Sequence, residues 1–334
     1  MSVNPRLMNL YNCCKASQLT VYFELYSCGA HGAIICFENF IFCFGTKIPE
    51  KGRFTMKKTI VLHDGIFHAD DVVCAALFQI KYGKDNCEII RTRNQEKIES
   101  ADIVADVGMV YNPESNRFDH HQADVPVYAN GVKYAACGMV LENIRFESGL
   151  VQYLLDNGLY QVQALDNGQE IDSLVASPFV FVSHMNATWE FGVYSTAQSI
   201  AFNIAVDMAR TILVSMIDSY ESKKKAAGIV KEAIKTASEN NIVLEQYVPW
   251  QDAVIEYNNS KPAITTVVFQ SKPGDWKVQV VPKEKGSFEA WVELDPEKCA
   301  AIPGFVFCHA AKFLAGFTTK ESALRAVETA VNLL

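Results

Sequence analysis

"KKTIVLHDGIFHADDVVCAALFQIKYG", residues 57 to 83, decides the fold. Its first seven residues form a short apolar run with β-branched Thr59, Ile60 and Val61, the composition of a buried strand. From Asp70 to Gly83 the apolar positions recur at helical spacing, with Asp71 as the expected N-cap. "CEIIRTR" (87 to 93) and "ADIVADVG" (101 to 108) read as two more strands. Strand, helix, strand, strand with continuous apolar runs implies an α/β fold, a mostly parallel sheet with helices on both faces.

Helices are expected at about 132 to 147, near 149 to 165, and as a long pair between about 195 and 240. Beyond them "AITTVVFQ" (263 to 270), "WKVQVVP" (276 to 282) and "FVFCHA" (305 to 310) alternate as sheet strands, and "KESALRAVETAVNLL" closes the chain as a helix. This places one domain over residues 56 to 240 and a smaller α+β domain over 241 to 334.

Residues 1 to 55 differ in kind. "AIICFENFIFCF" (33 to 44) is too short, and too interrupted by Glu38 and Asn39, to span a bilayer, and it lacks the flanks of a secretory signal. At Met56 the text changes abruptly into a strand, so Met56 is the expected natural start and residues 1 to 55 a leader outside the fold. Of the ten cysteines, Cys74, Cys87, Cys137, Cys299 and Cys308 lie beyond the leader and form no CxxC pair. They read as buried thiols of a reduced cytoplasmic protein, an organelle addressed by the leader being the alternative. No membrane partner is expected. A net charge of −8 gives no basic footprint, so a phosphate-bearing substrate would be held locally, by metal ions or a few placed cations.

In an open parallel sheet, ligands gather outside the carboxyl ends of the strands, which is where His63, His68 and Asp70 emerge. The bland alternative has Asp70 and Asp71 capping the helix beside solvated histidines. In "ADIVADVG" only Asp106 lies at the carboxyl end, and an acid behind a buried strand is costly unless paired or bound to a cation. Asp102, at the other end, is expected to be solvated. "FDHHQ" (118 to 122) follows: one imidazole can bind a metal while its neighbour faces substrate and the preceding acid orients one of them. Asp166 in "ALDNGQE" completes the set His63, His68, Asp70, Asp106, His120 and Asp166, with His121 beside it.

Imidazole and carboxylate without thiolate suit Mn²⁺ or Mg²⁺, with Zn²⁺ or Fe²⁺ also admissible, and six ligands are too many for one open site. Two metals sharing a bridging carboxylate, roughly 3.5 to 4 Å apart, would use them all, generate a hydroxide and clamp both oxygens of an in-line phosphoryl displacement.

At this point the chain resembles a known family. "HDGIFHADD", "EIIRTRN", "ADIVADVGMVYNPESNRFDHHQ" and "ALDNG" follow, in order, the motifs of the melanocyte-proliferating-gene family, a metal-dependent hydrolase branch of the DHH phosphoesterases. "KGSFEAW" (285 to 291) and "IPGFVFCHAAKFLAGFTTKESAL" (302 to 324) are similar to its C-terminal motifs. The resemblance implies a DHH-type domain with two divalent metals, Mn²⁺ by preference and Mg²⁺ as the alternative, and a C-terminal domain closing over substrate. It implies Asp106 as the bridging carboxylate, His120 and Asp166 at the second metal, His121 toward the phosphate, Asp119 as its orienter, and Lys285 and His309 on substrate. Two departures stand out: "ADVPVY" follows "DHHQ" where a basic residue and an aromatic are usual, and Lys312 and Ala315 replace usual glycines.

Three functions compete on this reading. The first is a two-metal phosphodiesterase, a 3′ to 5′ exonuclease on short single-stranded RNA. The second is a hydrolase of small phosphoesters or pyrophosphate. The third is a metal-stabilised binding protein without turnover.

Overall fold

The computed structural model describes residues 57–170, 177–238, 240–259 and 263–334, together with the strands Leu25–Ser27, Ala33–Phe37 and Phe40–Phe44. The chain divides into two compact units, Met1–Thr55 and Met56–Leu334. In the first, those three strands form an antiparallel sheet. The other expectations for residues 1 to 55 lie outside the described residues.

In Met56–Leu334 the strands β1 (Lys58–Leu62), β2 (Cys87–Arg91), β3 (Ile103–Ala105), β4 (Tyr111–Asn112) and β5 (Arg117–Phe118) form one sheet in the order β2-β1-β3-β5-β4. Every pairing is parallel except the one between β4 and β5. Alternation along β1 explains why both faces are covered. Ile60 and Leu62 join the core beneath α1 (Ala69–Tyr82), whereas Val61 joins Ile98, Val104 and Val107 beneath α2 (Gln95–Ser100).

Helices α3 (Ala136–Asn143), α4 (Ser148–Leu154) and α5 (Tyr160–Asp166) complete this lobe. The run near 149 to 165 is not one helix: it breaks at Asn157 and Gly158, and Gly158 takes φ 137°, which favours glycine. The expected pair between 195 and 240 is instead a single 40-residue helix, α6 (Thr196–Lys235). The polar "ESKKK" run looks like a break, but its residues are good helix formers, and an interior Gly228 weakens a helix without ending it.

The first half of α6 buries Phe202, Ala205, Val206 and Ala209 in the core shared with α1, while Ala226 and Val230 belong to a second core. By length and mean hydropathy α6 would also pass for a membrane span.

That second core lies under another sheet. Strands β6 (Asn241–Leu244), β7 (Thr266–Lys272), β8 (Asp275–Val280), β10 (Phe305–Cys308) and β11 (Leu314–Phe317) run in the order β10-β11-β8-β7-β6. One face packs on α6 and α7 (Gln251–Asn258), the other on α8 (Pro296–Ala300) and α9 (Lys320–Thr329). The closing helix is shorter than expected. It stops at Thr329, and β12 (Val331–Leu333) pairs antiparallel with β9 (Val292–Leu294), where its β-branched Val331 suits a strand. Among the described cysteines Cys74, Cys137 and Cys299 are buried, but Cys87 and Cys308 are only half-buried.

Candidate metal centre

The carboxyl ends of β1, β3 and β5 and the start of α1 converge on one group of acids and imidazoles. Helix α1 begins one turn earlier than expected. His68 is its N-cap and Asp71 its third residue, with the Asp71 carboxylate accepting from the His68 N–H at 2.9 Å. Asp71 is therefore not the cap. Its other oxygen turns inward instead, to 3.2 Å from His63 Nε2.

Asp106 follows β3 in the left-handed backbone region at φ 55°, a conformation that costs a non-glycine residue about 1 kcal/mol and concentrates at functional sites. The turn is held by the Asp106 N–H donating to the Phe118 carbonyl (3.0 Å) and the Met109 N–H donating to Asp119 Oδ2 (2.7 Å). This strained corner aims the Asp106 carboxylate between two histidines: Oδ2 lies 3.3 Å from His63 Nε2, and Oδ1 lies 3.4 Å from His120 Nε2.

On the far side Asp166, at the end of α5, brings Oδ2 to 3.0 Å from His120 Nε2. Asp70 is fully buried and accepts the N–H groups of Ala136 and Cys137 at the start of α3 (3.0 and 2.8 Å). Asn167, beside Asp166, donates to the Lys133 and Tyr134 carbonyls, tying the end of α5 to the segment leading into α3.

Three overlapping sets could each hold a cation, with ligand atoms all within 4.8 Å of one another: His63, Asp71 and Asp106; Asp106, His120 and His121; Asp70, His120 and Asp166. Asp106 and His120 are each shared by two sets. His63 Nδ1 faces the Asp64 carbonyl at 2.9 Å, and a carbonyl only accepts, so this nitrogen carries the proton. In the neutral ring the Nε2 lone pair then faces two carboxylate oxygens, an arrangement that a cation or a second proton must relieve.

The buried Asp71 Oδ2 and His120 Nε2 have no hydrogen-bond partner, since their close approaches lie outside hydrogen-bond geometry. Orphaned buried donors and acceptors are costly, and a divalent cation held by each of their two groups would satisfy them. The residues fit a metal.

Charge follows the same pattern. Burial would lower the His63 imidazole, but Asp106 and Asp71 outweigh it and raise it to about 9. His120 is likewise opposed by burial and raised by Asp106 and Asp166 to about 11. Burial raises Asp71 to about 7 against the pull of His63. Asp70 is pushed well up by burial and then by Asp166 and Asp106. Against burial, His120 and His63 hold Asp106 well below the usual carboxylate range.

The expected members separate into two places. His63, Asp70, Asp106, His120 and Asp166 come together, with His121 and Asp119 adjoining. His68 stands at the rim, its side chain 58% exposed and Nδ1 3.6 Å from Asp166 Oδ1. It lines a pocket of about 230 Å³ with Asp70, Leu165 and Asp166. Lys285 and His309 are not in this group. Lys285 pairs with Asp252 at 2.7 Å, and His309 Nδ1 accepts from the Ala311 N–H, its ring 4.5 Å from Phe313. Lys312 takes φ 57°, a backbone that favours the glycine usual there, and its ammonium pairs with Glu293. Asp102 is at the opposite end of β3, accepting from the Thr59 N–H and Lys58 Nζ in partial exposure.

Two residues escaped the sequence reading. Asp71 was read as a cap, although its place beside Asp70 in the first turn was a signal for it. Arg91, at the end of β2, donates to the Gly65 carbonyl (2.9 Å) and lies 3.9 Å from Asp71 Oδ2.

The α/β lobe carries a carboxylate–imidazole centre suited to divalent cations. Residues 59–331 match the MYG1_exonuc family, described as "Uncharacterised protein family (UPF0160)", and the chain belongs to that family. It is 30% identical to the MYG1 exonuclease of Mus musculus over 312 residues, covering 78% of this chain and 82% of the relative. It is 30% identical to a MYG1 protein of Chlamydia pneumoniae, covering 81% and 95%. Thermus thermophilus RecJ with Mg²⁺ aligns over 81% of this chain and 50% of its own at 12% identity, with a TM-score of 0.23.

Proposed function

We propose that this protein is a two-metal phosphodiesterase, a 3′ to 5′ exonuclease acting on short single-stranded RNA with Mn²⁺, or Mg²⁺ in its place. The observation that carries the proposal is the position of Asp106, whose two oxygens address His63 on one side and His120 on the other. Such a carboxylate can bridge two cations, with His63 and Asp71 completing one site and Asp70, His120 and Asp166 the other. Bound there, two divalent cations would activate water and neutralise charge on the phosphoryl group.

The rest falls to the side chains. His121 is half-exposed and oriented by Asp119, which also raises its basicity, and it is the imidazole that would face a phosphate. His63 and Asp71 are shut from water, so their charge is not screened. His68 and Asp166 frame the mouth. The exonuclease names of the mammalian relatives favour a nucleic-acid substrate. The modest size of the rim pocket favours, as a second reading, a small phosphoester or pyrophosphate.

Turnover of an RNA pentamer and of pyrophosphate, each with Mn²⁺ and with Mg²⁺, separates the two. Release of mononucleotides from the 3′ end is expected. Hydrolysis of pyrophosphate alone would replace the first reading with the second, and binding of RNA without turnover would leave a binding protein.

A further inference from the structure

The segment Asn186 to Ser195, "NATWEFGVYS", is bolted to the loop that follows His63. Asn186 makes a two-way bond with Phe67, Oδ1 accepting from its N–H (2.9 Å) and Nδ2 donating to its carbonyl (2.8 Å). Gln198, buried in the first turn of α6, donates to both the Gly65 carbonyl (3.0 Å) and Asn186 Oδ1 (2.5 Å), and accepts from the Ala187 N–H (2.8 Å). Ser195 caps the same helix by accepting from the Gln198 N–H (3.1 Å). A methyl group placed on Gly65 would meet the Tyr194 ring at 3.9 Å. Both ends of the segment are therefore fixed to the metal loop, and its middle is a single tight turn, Trp189–Phe191.

That turn holds its apolar side chains out in water. Trp189 is 85% exposed, Tyr194 77% and Phe191 64%, and Ile66, in the metal loop itself, is also exposed. The segment carries one charge, Glu190, and neither Lys nor Arg. A surface of this kind has little to offer a phosphate but suits the flat face of a ring. Sequence-tolerant binders of single strands stack successive bases on aromatic side chains and use cations for the backbone. In a chain of net charge −8, stacking would add to the affinity that the metal centre and a few placed cations supply for the phosphate.

Resting on the exonuclease reading above, we propose that Trp189 and Tyr194, with Phe191 beside them, form a stacking ledge for nucleobases of the strand whose phosphate enters the metal centre. The class of substrate is thereby narrowed to base-bearing strands, as distinct from pyrophosphate or sugar phosphates. Anchoring by Asn186 and Gln198 keeps the ledge in register with His63 and Asp71.

The four tryptophans allow a direct test, because Trp250 and Trp276 are buried and Trp291 is half-buried, leaving Trp189 to dominate quenching by iodide. An RNA pentamer should protect the fluorescence, and an abasic pentamer should not. Trp189→Ala and Tyr194→Ala should each raise KM for the pentamer about tenfold, within the range for one lost stack, with kcat and metal content unchanged. Trp189→Phe should restore KM, and the abasic pentamer should be equally poor for wild type and Trp189→Ala.

An unchanged KM in both alanine variants would overturn the ledge, as would a Trp189 already shielded from iodide in the free protein, which would mark the face as covered by another copy. If wild type cleaved no RNA yet the pentamer still protected Trp189, the exonuclease reading would fall and the ledge would stand. Absence of protection would remove the ledge whatever the turnover.

Discussion

Asp119 and His121 are joined twice: the Asp119 carboxylate accepts the His121 ring Nδ1–H at 2.6 Å and the His121 backbone N–H at 2.9 Å. The same carboxylate accepts from the Met109 N–H, so the acid that orients this imidazole also closes the turn carrying Asp106. Asp119→Asn keeps the shape and removes the charge. The His121 pKa should fall toward its ordinary value of about 6.5, and turnover should fall about 10- to 100-fold, with both metals retained. Proton NMR titration of His121 with elemental analysis checks this; a loss of metal in step with rate would show that the acid serves the turn and not the imidazole.

The metal-free protein should lose stability as pH rises from about 5 to 9. His63, raised to about 9, contributes stability that is complete below its unfolded value of about 6.5 and lost as pH climbs through 9. Asp71, raised by burial to about 7, is costlier to hold as an anion in the fold than in the unfolded chain. Its cost therefore grows over the same rise, from about 4 to 7. Mn²⁺ reverses the trend, because it competes with those protons and its affinity grows with pH. Thermal melts in chelator and in Mn²⁺ across this range would show two slopes of opposite sign; parallel slopes would exclude cation binding at His63.

How much of this was legible depends on the range of the interaction. The parallel sheet and the convergence of His63, Asp106 and His120 follow from strand order, because period-two burial and the carboxyl-end rule act locally. Asp71 escapes a local reading because α1 starts three residues earlier than its apolar spacing suggests, which leaves one Asp71 oxygen on the His68 N–H and turns the other inward. The unbroken α6 was hidden because its two halves belong to different cores, so its apolar face shifts along its length. Arg91, Asn186 and Gln198 make their contacts with residues 65 to 67 across long sequence separations, and no local pattern announces them.

Residues 1 to 55 form a compact unit of their own and supply none of the grouped acids and imidazoles described above. A chain beginning at Met56 should therefore melt at the same temperature as the full chain and bind the same amount of metal. Loss of the cooperative transition on deletion would make the first unit part of the fold.

His309 presents its second ring nitrogen as a donor, because Nδ1 already accepts from the Ala311 N–H. We propose that it contacts substrate from the C-terminal lobe, together with Lys285. His309→Ala should then raise KM about tenfold while leaving metal content unchanged, the pattern of lost uniform binding. Reduced metal content would contradict that assignment.

The sharpest contrast lies along β3. Asp106→Ala removes the one carboxylate shared between His63 and His120, so both cations should be lost together and turnover should fall by about three powers of ten or more. His120→Ala should act alike, since its Nε2 faces both Asp106 and Asp166. Asp71→Ala should empty only the His63 side, leaving about half the metal. Asp102→Ala is the control. Its carboxylate sits at the other end of the same strand, bonded to the Thr59 N–H and to Lys58 in partial exposure, so its loss should cost less than about 1 kcal/mol of stability and leave metal and turnover intact. Metal analysis and single-turnover rates on the four variants decide the matter. Full occupancy and near-normal rates in Asp106→Ala would return "FDHHQ" and its partners to the status of a polar loop.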